Sequence, residues 1–200
     1  MKKTILLSVF IASIAAAAFA AAGLELVSVT GKVNKDEIGG EGLCVVSLWD
    51  TKGDAPVGFD GDFESVVADS RPQKIFAKDE AGKTRALAIV FPDKADDVFF
   101  DAESTALALL FRDATFFRDS ATAESVCARA RTSGSFHDLA LFLKGNLLAH
   151  SLEELMRDEV YRELFENCTK EIFGQDQAAA KKSLNKARDE LKDIMKEISM

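Results

Sequence analysis

The 200-residue sequence predicts an α+β fold: a small antiparallel β-sandwich followed by an all-α helical region. Two shifts along the chain carry this prediction. All three prolines and all but three of the 12 glycines precede residue 102, among short β-branched runs. After that point Ala, Leu, Glu, Lys and Arg dominate, which exchanges strand chemistry for helix chemistry. A third shift sets the first 20 residues apart from both regions.

Met1-Lys2-Lys3 is a short basic start, Ile5 to Ile14 is apolar, and Ala15 to Ala22 is a run of small residues. This is the pattern of an export signal. Ala18-Phe19-Ala20 fits the small-x-small cleavage rule, which places the cut between Ala20 and Ala21. The competing reading is a retained anchor. The apolar run is short for a bilayer span, however, and ends in alanines rather than basic stop-transfer residues. The organisation read from sequence is therefore 1–20 signal peptide, 21–101 β-sandwich and 102–200 helical region, in an exported chain that is periplasmic or extracellular and bacterial in style.

Strands are predicted over Leu24–Val33, Leu43–Trp49, Gly58–Val67, Gln73–Lys78, Thr84–Phe91 and Val98–Phe100. Turn chemistry at Gly39-Gly40, 50–54 and 79–83 separates them. In 43–49, Cys44, Val46 and Leu48 share one side and Val45 and Ser47 the other, so Cys44 is read as a buried small apolar residue. No predicted strands are separated by a helix, which disfavours parallel pairing.

Helices are predicted over Thr105–Arg112, with Asp101 or Ser104 as N-cap, and over Thr122–Arg131. Ser135 is read as the cap of the next, which carries Phe136, Leu139, Leu143 and Leu147 at helical spacing. Ser151 and Glu154 form a capping-box pair ahead of one long stripe: Leu155, Tyr161, Leu164, Phe165, Cys168 and Ile172. A last helix from Asp176 carries Leu184, Ala187, Leu191, Ile194 and Ile198 at 3–4 spacing; it packs on its neighbours or self-associates.

The chain carries 33 acidic and 25 basic residues. Without Lys2 and Lys3 the balance is 33 to 23, a formal charge of −10. That field excludes general attraction to nucleic acid, and no later stretch is long enough for a membrane span. The three cysteines are Cys44, Cys127 and Cys168. Cys127 and Cys168 lie on helical apolar stripes and are the candidate disulfide, with three separate thiols as the alternative. Closing a loop of about 40 residues would stabilise by roughly 3–4 kcal/mol.

Residues 27–67 resemble the small transthyretin-like sandwich of the carboxypeptidase regulatory-like domains. The resemblance rests on Val29-Thr30-Gly31-Lys32-Val33, on Cys44-Val45-Val46-Ser47-Leu48 and on Asp60-Gly61-Asp62-Phe63, where the glycine stands one position early. Glu103 to Leu110 is similar to a junction in uncharacterised exported bacterial proteins, where a β-domain precedes a helical stretch. The resemblance implies a fold and a compartment and no activity, because such sandwiches serve as accessory modules.

No catalytic constellation emerges. Ser104 with His137 or His150 lacks a nucleophile elbow. Ser135, His137 and Asp138 fall on the first turn of a helix, where a serine and an acid act as caps. Asp50, Asp54, Glu64 and Asp69 are carboxylates in a carboxylate-rich chain, so any pair suited to glycoside hydrolysis is coincidental. Trp49 and Tyr161 are too few for a sugar platform, and Asn167-Cys168-Thr169 is a sequon inside a helical pattern. No cofactor is expected; the acidic loops at Asp60-Gly61-Asp62 and Asp93 to Asp97 are weighed as structural Ca²⁺ ligands against solvated turns. The expectation is a non-enzymatic exported module binding an unknown protein or envelope polymer. The alternative is a small hydrolase with its site between the β-domain and the helices.

Overall fold

The computed structural model describes residues 25–48, 54–95, 97–111 and 120–174. The predicted signal peptide with Ala20 and Ala21, Trp49, Asp50, Asp96 and the last predicted helix lie outside them. The described chain runs β1 (Leu26–Val33), β2 (Cys44–Val46), β3 (Ala55–Pro56), β4 (Asp62–Ala68), β5 (Gln73–Lys78), β6 (Thr84–Val90), β7 (Val98–Phe100), α1 (Ala102–Leu110), α2 (Ser120–Arg131), α3 (Gly134–Asn146) and α4 (Leu152–Leu155). A further helix, α5, covers 159–174.

The fold is mixed α+β, with two mostly antiparallel sheets. One has the order β4-β1-β7, the other β3-β2-β5-β6. Alternation in β1 turns Val29 and Val33 inward, and β4 contributes Phe63 and Val67 on the same side, opposite Gly31 and Val27. Val45, Ile75, Ala77, Ala86, Ala88 and Val90 of the second sheet complete the same core. Phe63 meets Phe100 edge to face, with ring centres 5.4 Å apart. The expectation against parallel pairing is corrected: β7 pairs parallel with β1 over Gly31–Val98 to Val33–Phe100. The intervening chain builds the second sheet, and that long excursion supplies the crossover a parallel pair needs.

Gly31 makes this pairing sterically feasible. A Cβ there would lie 1.9 Å from the Val98 carbonyl oxygen and 2.9 Å from the Phe63 ring.

The helices cover the other face of the second sheet. Leu87 is buried among helical residues, and Phe76, Ile89 and Phe91 pack against that cluster. The molecule is thus layered: sheet, sheet, helices. α1 is apolar nearly all round and buried from Ala106 to Leu110, as a helix enclosed between layers must be. It also covers β6, which ends its sheet and would otherwise present bare backbone groups. Thr105 Oγ1 accepts the Leu87 N–H at 3.2 Å and donates to the Leu87 carbonyl at 3.3 Å. Thr105→Val keeps the shape and removes both bonds, so it is expected to cost about 1–3 kcal/mol in a denaturant titration, with an unchanged slope.

Asp101 caps α1 by accepting the Ser104 N–H at 2.7 Å, and Ser104 Oγ accepts the Asp101 N–H at 2.9 Å. For α3 the expected cap is corrected. Ser133, not Ser135, accepts the Phe136 N–H. The Ser135 N–H instead donates to Glu171 of α5 at 3.2 Å. The single long helix expected after Ser151 is two helices. Asp158 interrupts it and starts α5 by accepting the Val160 N–H at 2.7 Å.

The joint between the β layers and the helices centres on Arg85, 7% exposed. Its Nε donates to the Gly39 carbonyl at 2.8 Å, and its Nη2 donates to the Leu147 and Leu148 carbonyls at 3.3 Å each. A cation thereby serves the end of α3, where carbonyls lack helical partners. The Gly39 N–H donates to the same Leu147 carbonyl at 3.2 Å. Asp79 stands 3.9 Å from the guanidinium while its Oδ1 accepts the Ala81 and Lys83 N–H groups of the β5–β6 turn.

A second joint links that turn to α4. Lys83 Nζ pairs with Glu154 at 2.9 Å, Glu154 accepts the Ser151 N–H, and Glu153 accepts the Thr84 N–H at 3.1 Å. The Lys83 ammonium and then the Ser151 N–H hold the Glu154 carboxyl down at about 2. A depressed acid contributes stability above its usual value near 4.5, and that contribution is lost as the pH falls toward 2. Glu154→Gln is therefore expected to lower the melting midpoint near pH 6 and to lose that difference near pH 2.

Candidate functional site

The residues read as chemistry-bearing from sequence do not converge. Ser104 Oγ is occupied at the α1 cap and also reaches the Leu87 carbonyl at 3.4 Å. His137 and Asp138 are exposed on α3, and His150 is exposed beyond it, 4.0 Å from Glu154. Glu64 stands on the solvent side of β4 beside Ser28 at 3.4 Å, whereas Asp54 contacts Cys44. Asp60 and Asp69 are exposed, and Asp62 pairs with Lys32 at 3.3 Å. Among the described residues, no three His, Cys, Asp or Glu side chains are placed to hold a metal ion. Tyr161 is core, stacked on Phe165 at 5.7 Å, and Asn167 is exposed on α5.

One cysteine departs from expectation. Cys44 is half-buried rather than buried, because Leu43, Val45 and Ser47 face the core and Leu48 is 82% exposed. Its Sγ lies 3.8 Å from Asp54 Oδ2. Cys127 and Cys168 are placed as separate free thiols, the alternative weighed beside the candidate bridge. Sharing one apolar core does not give two sulfurs bonding geometry. Burial pushes Cys127 up to about 11 and Cys168 up to about 12, which leaves almost no thiolate near neutral pH. Alkylation of the folded protein at about pH 8 is expected to modify Cys44 first, with Cys127 and Cys168 labelled only after denaturation.

What the fold does assemble is a groove at the seam of the layers. One cleft of about 430 Å³ has Ile89, Phe91 and Leu107 in its walls, and β7, α1 and α2 border it. A second, of about 560 Å³, is lined by Phe136, Ala140 and Leu141 of α3. Both include Asp101, Glu103 and Arg131, so they meet around the start of α1. Two ion pairs span the seam and a third joins α1 to α2. Arg131 Nε bonds Glu103 at 3.0 Å, Lys144 Nζ bonds Glu37 at 3.1 Å, and Lys94 bonds Glu124. Glu37 also accepts the Ala102 N–H at 3.2 Å, which ties the β1–β2 loop to the start of α1.

Each pair is solvent-accessible and contributes little to stability. Their significance is as a row of polar partners beside apolar walls. Leu141, 63% exposed, stands on this surface. Such a surface suits a segment that is apolar on one side and charged on the other. Sequence reasoning named Ser104 and His137 here, yet missed Glu37, Lys94, Arg131 and Lys144. Their scatter from residue 37 to 144 leaves no local motif.

No family model, no curated protein and no solved structure matches the chain.

Proposed function

We propose that this is an exported bacterial protein acting as a non-enzymatic binding module of the periplasm or cell surface. In this reading a transthyretin-like sandwich, similar to the carboxypeptidase regulatory-like domains, carries a helical layer. The groove around the start of α1 takes a segment of a partner protein. The observation that carries the reading is the groove itself: apolar walls from two layers beside three ion pairs. The use of the Ser104 hydroxyl in a helix cap adds support. Export rests on the basic, apolar and small-residue order of residues 1–22.

Two measurements test it. N-terminal sequencing of protein recovered from the periplasm or medium is expected to begin at Ala21; retention of Met1 in a cytoplasmic fraction would overturn export. Capture from envelope extracts is expected to fall with Arg131→Glu and Leu141→Asp, provided both variants fold. Turnover in a hydrolase substrate panel, abolished by Ser104→Ala in a folded variant, would replace this reading with an enzymatic one.

A further inference from the structure

We propose that the groove takes its partner as an extended, basic strand that adds to the outer edge of β6, and not as a helix. The inference rests on the groove being the binding surface and names the form of what it binds. It starts from the direction of backbone groups. The Val57 N–H donates to the Leu43 carbonyl, so Leu43 and Val45 turn their groups to β3 while Cys44 and Val46 turn theirs to β5. Carried through the register, this alternation points the groups of Ala86, Ala88 and Val90 at β5 and those of Leu87 and Ile89 away from it. Leu87 spends both of its groups on Thr105. Ile89 repeats the orientation two residues on, and among the described residues nothing takes its N–H or carbonyl.

Ile89 lines the cleft of about 430 Å³. The facing strand is also open there. The Phe100 carbonyl accepts the Asn34 N–H beside β1, which turns the groups of Phe99, another lining residue, away from β1. Strand edges with open donors and acceptors bind extended backbone, whereas a helix has already paired its own groups. Charge narrows the partner. The cleft carries Asp97, Asp101, Glu103 and Glu124 against Lys94 and Arg131. Both cations are paired, with Glu124 and Glu103, so Asp97 and Asp101 remain in surplus. A strand in which apolar residues alternate with Lys or Arg offers one side to Ile89, Phe91 and Leu107 and the other to these carboxylates. A second copy of this chain, with a formal net charge of −8, is a poorer match.

The test uses the full chain, isotope-labelled, with the peptide Thr-Lys-Val-Lys-Val-Lys-Thr as probe. At a concentration about ten times its Kd, the peptide is expected to slow hydrogen exchange at the Ile89 amide about tenfold. Two further peptides carry N-methyl groups on the alternate amides of one edge or of the other. One of them is expected to bind at least about tenfold more weakly and the other to keep its affinity, since an added strand pairs through one edge. Equal affinities for the two, or unchanged exchange at Ile89, would overturn the strand. The same peptide with Glu in place of Lys is expected to bind at least about tenfold more weakly; equal binding would overturn the basic partner. An Ile89 amide already protected in a dimer would give the edge to a second copy and overturn the inference as well. No peptide binding, with capture from envelope extracts still lost in Arg131→Glu, would sink the strand alone. Capture unaffected by Arg131→Glu would sink the groove reading itself.

Discussion

Replacing Arg85 with leucine is expected to lower the melting midpoint by roughly 6–20 °C, from about 3–5 kcal/mol lost at roughly 2–4 °C per kcal/mol in a chain of this size. The guanidinium is nearly sealed from water and donates to three carbonyls, Gly39, Leu147 and Leu148. Leucine fills much of the space and leaves those acceptors short of a donor and Asp79 without its cation. Arg85→Lys keeps the charge but cannot present the planar fork, so an intermediate loss is expected. Gly39 shares the joint: a Cβ there would sit 1.8 Å from the Leu148 carbonyl oxygen. Effects of Arg85→Leu and Gly39→Ala should therefore be less than additive. A midpoint unchanged within about 2 °C for Arg85→Leu, below the effect of a single lost kilocalorie, would show that the joint does not hold the layers.

The second large effect is expected at Gly31. Alanine there places a methyl inside the Val98 carbonyl, and backbone cannot swing aside as a long side chain can. Relief requires β7 to move away from β1, which would withdraw Phe100, fully buried, from Phe63. A loss of about 3 kcal/mol or more is expected, combining overpacking with core disruption. Near-ultraviolet circular dichroism together with thermal melting would register it. A wild-type melt for Gly31→Ala would mean that β7 does not pair with β1 as described.

β5 and β7 were legible to the residue because turn chemistry brackets them and their length leaves little choice. Cys44 illustrates the opposite case. Alternation assigns residues to two faces, but with Val45 and Val46 both apolar it does not say which face meets the core; pairing with β5 decides that, setting Val45 opposite the buried Ala77. Ser133 and Ser135 are equally good caps in sequence. The choice between them involves Glu171, 36 residues on, whose carboxylate takes the Ser135 N–H. Asp158 was a readable helix start, hidden by an apolar stripe that continues in phase on both sides of it. The groove is least legible, because proximity across layers, not spacing along the chain, defines it.

β6 faces two cores, with Ala86, Ala88 and Val90 turned to one and Leu87 to the other. A strand in that position couples their fates. Melting the helices would strip cover from Leu87 and free the Thr105 bonds, while losing the first sheet would expose the opposite side of the same strand. Neither half keeps its cover without the other, so a single cooperative unfolding transition is the expected behaviour, with both cores lost together.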